Sequence, residues 1–417
     1  VEHELGFTSK KDIEEFGIGP FIERCREFAL RNKDIMSEQF RRLGVWLDFE
    51  DPYMTVAEEY IEAAWWTLRR AEERGMLERG HRVVNWCPRC ETAIADSEVD
   101  YWDETDPSIY VKFPINGREN EYLVIWTTTP WTLPANVAVA VHAEAVYARV
   151  RARKGDAEEI LWMADDLVEG VLRKGRYQDY AVLDRVPGSA LAGTEYSSPL
   201  APAVPFQDAV AHRVVTADFV TLENTGMVHI APGHGWDDYI LGIREGLAIF
   251  CPVDAAGRFT EEGGMFCGMP VREANAAVLA QLGSHLLAQE EVVHRYGHCW
   301  RCKTPLLYYA RVSWFVRTTA FKDDMMARNA AMDWHPREVG EGRFGEWLKN
   351  NIDWAISRDR YWGTPLPVWV NDDDPKDMIC VSSIAELEQL SGQKVTDLHK
   401  HFVDKIIIHK DGKTYRR

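Results

Sequence analysis

No run of more than five consecutive apolar residues occurs anywhere in this chain, whereas a membrane-spanning helix needs roughly 20. A helical membrane protein is thereby excluded. Positive charge is not in excess either: 48 Lys+Arg against 66 Asp+Glu leave a net charge of −18. Bulk electrostatics therefore cannot hold a nucleic acid, and any polyanion would have to find a local basic patch. Internal repeats and low-complexity segments are missing. So are an initiator Met and a signal peptide, the chain opening Val1-Glu2-His3-Glu4. Either processing removed the start, or these residues are a piece of something longer. What is present is the make-up of a packed globular protein, 46% hydrophobic and 27% charged over 417 residues. At roughly 150 residues per domain, that length suggests two to three domains.

Of the eight cysteines, Cys25, Cys251, Cys267 and Cys380 are scattered singly and read as small buried hydrophobes. The other four form two C-x-x-C pairs, Cys87-Pro-Arg-Cys90 and Cys299-Trp-Arg-Cys302. Without a signal peptide, such pairs point to a metal site in the reducing cytoplasm more readily than to disulfides. Each turn can present two thiolates to one tetrahedral Zn2+, and four filled positions mean a structural ion. Cys299 follows Cys90 by 209 residues, so a zinc ribbon closed across that gap would staple the two ends of an inserted domain. Two unrelated cysteine turns that never meet are the alternative.

Residues 8–80 read as helical. The clearest segment is Met54 to Arg79, where Thr55-Val-Ala-Glu58 has a capping-box pattern. Ile61, Ala64, Trp65 and Leu68 follow at the spacing of one apolar stripe, and Gly75 and Gly80 mark the end. Between the cysteine pairs, Tyr122–Trp126, Val137–Val141 and Met227–Ile230 are short β-rich runs. Charged helices alternate with them at Ala164–Leu172 and Glu273–Leu282. Further on, the spacing predicts a buried strand over Pro305–Val316 and helices around Phe344–Asn351 and Ile384–Leu390. Pro365 and Pro367 make the segment after Tyr361 extended, and Val403–Ile408 is strand-like.

Three further constellations could carry chemistry. Trp126-Thr-Thr-Thr-Pro-Trp-Thr-Leu-Pro-Ala-Asn136 sets a row of hydroxyls and backbone N–H groups at a strand end, suited to polarising a carbonyl. The same threonines could be β-propensity and turn chemistry alone. Gly226–Asp238 contains His229, His234, Asp237 and Asp238 around a Pro-Gly turn: an active-site loop, metal ligands, or a solvated turn before a helix. Residues 294–317 carry Arg295, Arg301, Lys303, Arg311 and Arg317 without an acid, with aromatics interleaved. Such a stripe could bind RNA phosphate and stack a base.

Together, Asn85-Trp-Cys-Pro-Arg-Cys90, the threonine-rich segment, Gly226–Asp238 and Ile356-Ser-Arg-Asp-Arg-Tyr-Trp-Gly-Thr-Pro365 resemble an isoleucyl-tRNA synthetase. That is a class I aminoacyl-tRNA ligase, and the likeness is nearest its archaeal and eukaryotic type. Valine and leucine enzymes are similar but look like Thr-Thr-Arg-Pro followed by an acid where this chain has Thr129-Pro130-Trp131. They also lack a His at the position of His229. The resemblance implies an α/β fold: part of a Rossmann-like catalytic domain, an inserted α+β, barrel-like editing domain, and a zinc ribbon at its base. The implied division is 1–84 and 305–370 catalytic, 85–106 and 294–304 zinc ribbon, 107–293 editing, and 371–417 the start of a further insertion.

The activity implied is ATP-dependent charging of tRNA(Ile) with isoleucine, with hydrolysis of tRNA charged with valine by mistake. Thr127, Thr128 and Thr129 match the editing strand, and Asn136 and His229 match substrate-binding positions. Asp238 matches a residue facing the misattached amino acid, and Cys87, Cys90, Cys299 and Cys302 match the zinc ligands. ATP and Mg2+ would serve the complete enzyme in the cytoplasm, with no membrane involved. A valine-type relative and a non-catalytic zinc-ribbon RNA-binding module remain alternatives.

Two departures stand out. The class-defining His-x-Gly-His and Lys-Met-Ser-Lys-Ser loops, which stabilise charge around the triphosphate, are not among these residues. Isoleucine-dependent ATP–pyrophosphate exchange is therefore not expected of the 417-residue chain, and its detection would overturn this reading. Asn224 replaces a usual Gly and Trp236 a usual acid, so the loop's backbone has to accommodate both.

Overall fold

The computed structural model describes residues 1–417. They divide into two compact units, one made of Val1–Gly80 with Ser313–Arg417 and the other of His81–Val312. No helix is long and apolar enough to cross a membrane.

In the first unit the apolar stripe expected on the second long helix is realised. The helix spans Glu58–Glu73 and buries Ile61 and Trp65 completely, against Trp369, Leu387, Leu398 and Val403. Its start differs from the expected capping box. Ala57 occupies the N-cap and no side chain caps the helix, so Thr55 lies two residues too early. Gly75, with φ 66°, supplies the left-handed residue that ends the run, and a strand begins at Leu77. The expected strand Val403–Ile408 is also corrected. Val403 closes a short helix, Lys400–Val403, and the strand is Ile408–Lys410. Apolar residues bounding a turn had mimicked a strand.

The second unit is built on a ten-stranded mixed sheet. In chain order its strands are β1 (Val99–Pro114), β2 (Glu121–Thr127), β3 (Ala138–Val141), β4 (Val146–Lys154) and β5 (Ala157–Ala164). Then come β6 (Asp179–Pro187), β7 (Glu195–Tyr196), β8 (His212–Thr216), β9 (Met227–Ile230) and β10 (Leu286–Cys299). The order across the sheet is β6-β4-β5-β2-β9-β3-β8-β7, with β1 beside β2 and β10 beside β1. The end strands β6 and β7 do not pair with each other, but β7 bonds back to the end of β1 through the Ile115↔Tyr196 bridge. There the Asn116 N–H donates to Glu195 O and the Ser197 N–H to Pro114 O, both at 2.9 Å, so that β1-β2-β9-β3-β8-β7 close in the barrel-like way expected.

β1 and β10 form a long antiparallel ribbon from Val99↔Cys299 to Val111↔Leu286. Its sequence explains its two halves. Residues 99–105 of β1 are largely solvent-facing, whereas Asp106 and the stretch from Ser108 to Phe113 are buried. The ribbon thus leaves the cysteine turns as an exposed pair of strands and becomes a central element of the sheet. One face packs Leu123, Ile125, Val139, Val141, Trp131 and Met227 in the main core, and the opposite face buries Val124 and Ala138 in separate clusters. Short helices at Val168–Lys174 and Ala274–Leu282 cover it.

Candidate functional site

Residue alternation along two parallel strands assembles the site. On β2, Leu123 and Ile125 face the main core, so Thr127, two residues on, faces the same way at the strand's end. On β9, Met227 faces that core, and His229 therefore does too. Val228 is the register partner of Trp126 in a parallel pair, which sets His229 level with Thr127. Both strands end here, one into the threonine turn and the other into the Pro-Gly loop. Ligand sites favour the carboxyl ends of parallel strands for this reason: loops converge there on a rigid edge.

Hydroxyls link the two loops. Thr127 Oγ1 accepts the N–H of Thr129 at 3.0 Å and lies 3.1 Å from Thr129 Oγ1. Thr132 Oγ1 donates to the carbonyl of Thr129 at 2.8 Å and lies 2.9 Å from His229 Nε2. A carbonyl can only accept, so the Thr132 hydrogen is committed to it and His229 Nε2 must be the donor to Thr132. The other ring nitrogen, Nδ1, is then a bare acceptor, buried and without a hydrogen-bond partner. Thr128 is half-buried on the same turn.

The same deduction applies to His234. Its Nδ1 lies 3.1 Å from the carbonyl of Tyr308 and must donate, leaving Nε2 as a second buried, unpartnered acceptor. Burial lowers the pKa of both histidines to about 4, so both rings are neutral at physiological pH. An unsatisfied buried acceptor costs about 1–3 kcal/mol. Two of them in one loop call for a ligand that supplies donors.

Asp238 lies in the first turn of the helix α1 (Trp236–Glu245). Its Oδ2 accepts the N–H of Ala231 at 2.8 Å, which closes the loop over residues 231–235. Burial raises its pKa to about 7. A carboxyl held near neutrality lacks a countercharge that a bound cation would provide. Asn136, in contrast, is fully buried with both ends of its amide engaged. Nδ2 donates to Ala138 O at 2.9 Å, and Oδ1 accepts the Tyr196 hydroxyl at 2.7 Å. It braces the turn from beneath. Thr132 was missed by sequence reasoning, although it lies inside the threonine-rich motif, and His234 was singled out there only as one of two loop histidines without a role of its own.

The departures in the loop are accommodated. Asn224 takes φ 57°, a left-handed conformation that Asn tolerates better than other non-glycine residues. Trp236 is 38% exposed at the first turn of α1, where its bulk meets solvent.

Cys87, Cys90, Cys299 and Cys302 do meet, their Sγ atoms all within 4.8 Å of one another. None is in a disulfide. The residues after the two pairs, Glu91 and Lys303, have φ 46° and 63°, so both turns finish with the same left-handed step. A tetrahedral ion with Zn–S of about 2.3 Å would set the sulfurs about 3.8 Å apart. The cluster fits such an ion.

The basic stripe 294–317 is largely absorbed by the protein itself. Lys303 pairs with Asp100 at 2.7 Å, and Arg295 donates to Tyr101 O at 2.7 Å. Arg311 stacks on Trp86 at 4.4 Å.

An isoleucine–tRNA ligase of Methanoculleus marisnigri is 62% identical over 408 residues, covering 98% of this chain and 38% of that protein. One from Methanospirillum hungatei is 60% identical with the same coverage. The chain thus spans little more than a third of the length of these relatives. A solved structure, GlLeuRS-CP1, matches with 14% identity and a TM-score of 0.34, covering 43% of this chain and 97% of that one. The family model for tRNA synthetases class I (I, L, M and V) matches residues 1–417, and the chain belongs to that family.

Proposed function

We propose that these residues are the portion of an isoleucine–tRNA ligase that carries its editing site, a hydrolase for tRNA(Ile) wrongly charged with valine. One observation carries the reading. The threonine turn and the histidine loop meet on one sheet face around two donor-seeking nitrogens and a carboxyl short of a cation. An aminoacyl ester brings what such a site lacks, an ammonium and a carbonyl to be polarised. A second site is needed because one methylene gives a pocket only about 1–3 kcal/mol of discrimination, with isoleucine against valine in this family the standing example.

In this reading Thr127, Thr128 and Thr129 orient and polarise the ester carbonyl through hydroxyl and N–H groups. Asp238 holds the α-ammonium, His229 stands where the side chain ends, and Asn136 fixes the turn. The whole enzyme would charge tRNA(Ile) in the cytoplasm with isoleucine, ATP and Mg2+. Residues 107–293 would form the editing domain, 85–106 with 294–304 the zinc ribbon, and 1–84 with 305–370 parts of the catalytic domain. Residues 371–417 would begin a further insertion. The test is deacylation of valine- and isoleucine-charged tRNA(Ile) by the 417-residue chain. Hydrolysis of the valine ester alone is expected; equal inertness toward both would remove the reading.

Cys87, Cys90, Cys299 and Cys302 would hold one structural Zn2+, which ties the two turns together and takes no part in hydrolysis. Elemental analysis should find about one zinc per chain. Cys302→Ser should lower that content and the melting temperature together, since ion binding to such sites is part of folding. A fully stable, metal-free chain would rule the ion out.

A further inference from the structure

The assignments above leave His234 without a task, although its surroundings are the most tightly built in the loop. Its backbone N–H donates to Ala231 O at 2.8 Å, and the neighbouring Gly233 carbonyl accepts from Ala310 at 3.0 Å. A Cβ on Gly233 would lie 2.1 Å from the carbonyl oxygen of Phe250, so no other residue fits between loop and wall. The His234 ring is 7% exposed. It meets the Trp131 ring edge-on with centroids 4.9 Å apart, which ties it to the turn carrying Thr129. His229 lies five residues before it and Asp238 four residues after. The ring is thus fixed in place and in one tautomer, near enough to His229 for the charge of one ring to disfavour that of the other.

We propose that His234 is the base of the editing hydrolysis, its Nε2 taking the proton of the water that attacks the ester carbonyl. The proposal rests on the editing reading and deepens it. Nε2 is the bare nitrogen, and Nδ1–H points at the Tyr308 carbonyl. A carbonyl behind the ring stabilises the imidazolium that forms when Nε2 accepts a proton. His229 is less suited, because its protonated nitrogen is backed by the Thr132 hydroxyl, a weaker acceptor than a carbonyl. In the step, the water oxygen bonds to the ester carbon while one of its protons moves to Nε2. The bond from that carbon to the ribose oxygen then breaks, and the proton passes from Nε2 to the ribose oxygen. Free valine and uncharged tRNA leave, and the ring is neutral again.

The experiment compares the 417-residue chain with its His234→Ala and His234→Gln variants on Val-tRNA(Ile), after thermal melting has shown each to be folded. Both variants should lose a factor of about 10²–10⁴ in kcat, with KM and the valine/isoleucine ratio unchanged. Gln can accept a hydrogen bond there but cannot take up a proton, so it should be no faster than Ala. A folded Ala variant as fast as the parent overturns the proposal. So does a Gln variant at the parent's rate, which would make His234 a positioning residue for the water. An inactive parent chain instead sinks the editing reading itself, before any variant is compared.

Discussion

Asp238→Asn should lose the hydrolysis of valine-charged tRNA by roughly 10- to 150-fold while making the chain more stable at neutral and alkaline pH. The loss follows from the charge. A carboxylate–ammonium hydrogen bond is worth about 1.5–3 kcal/mol, and each 1.4 kcal/mol is about tenfold. Asn removes the charge but can still accept the Ala231 N–H that Asp238 accepts at 2.8 Å, so the loop stays closed. Ala would remove both, and could not separate recognition from loop structure. The gain in stability follows from the direction of the pKa shift. In the folded chain burial pushes the Asp238 carboxyl up to about 7, against 3.8 for a free Asp side chain. Between those values the folded state holds a proton that the unfolded state has released, so this group makes stability fall as pH rises. Above about pH 7 the penalty is complete, on the order of 2 kcal/mol once partial exposure is allowed for. Below pH 4 both forms are protonated and the penalty is gone. Melting curves of parent and Asp238→Asn should coincide near pH 4 and separate by pH 8, with the variant higher. Destabilisation by Asn at pH 8, or unimpaired hydrolysis, would remove Asp238 from ammonium binding.

The parts of this site legible in the sequence were those fixed by local chemistry. C-x-x-C turns, a threonine run after a strand and a Pro-Gly loop with histidines each announce a backbone event within a few residues. β2, β3 and β9 were visible as β-rich runs because they are buried on both faces. Their order in the sheet was not. That β9 lies parallel to β2, so that His229 stands level with Thr127, depends on a register set by long-range packing. Thr132 was overlooked because a threonine in a turn has many bland explanations; only its 2.9 Å approach to His229 gives it a task. The internal partners of the basic stripe were hidden for the converse reason. Composition shows the bases, but their partners Asp100 and Trp86 lie about 200 residues away in the chain, where no local pattern can reveal them.

His229→Ala should change which ester is hydrolysed rather than whether hydrolysis occurs. The parent ring is buried at the level of Thr127 and held by Thr132. If Asp238 takes the ammonium, the ring stands across the pocket where the side chain ends. Isoleucine exceeds valine by one methylene, and forcing that volume against a fixed ring costs typically 1–3 kcal/mol, or about 5- to 150-fold. Shrinking the ring opens the space and leaves Thr127 and Thr129 bonded to each other. The variant should therefore keep hydrolysing Val-tRNA(Ile) and begin to hydrolyse Ile-tRNA(Ile). Its pH behaviour separates the roles further. With the His229 pKa lowered to about 4 by burial, the gate is uncharged from pH 5.5 upward, so the parent's preference for valine should be flat between about pH 5.5 and 8. Removing a general base would act otherwise, lowering both rates together by about 10²–10⁴. That is the outcome assigned to His234, and the two histidines are thus distinguished by one assay: the rate for His234, the ratio for His229. Collapse of both esters in His229→Ala would place His229 with the chemistry and leave the pocket without its gate.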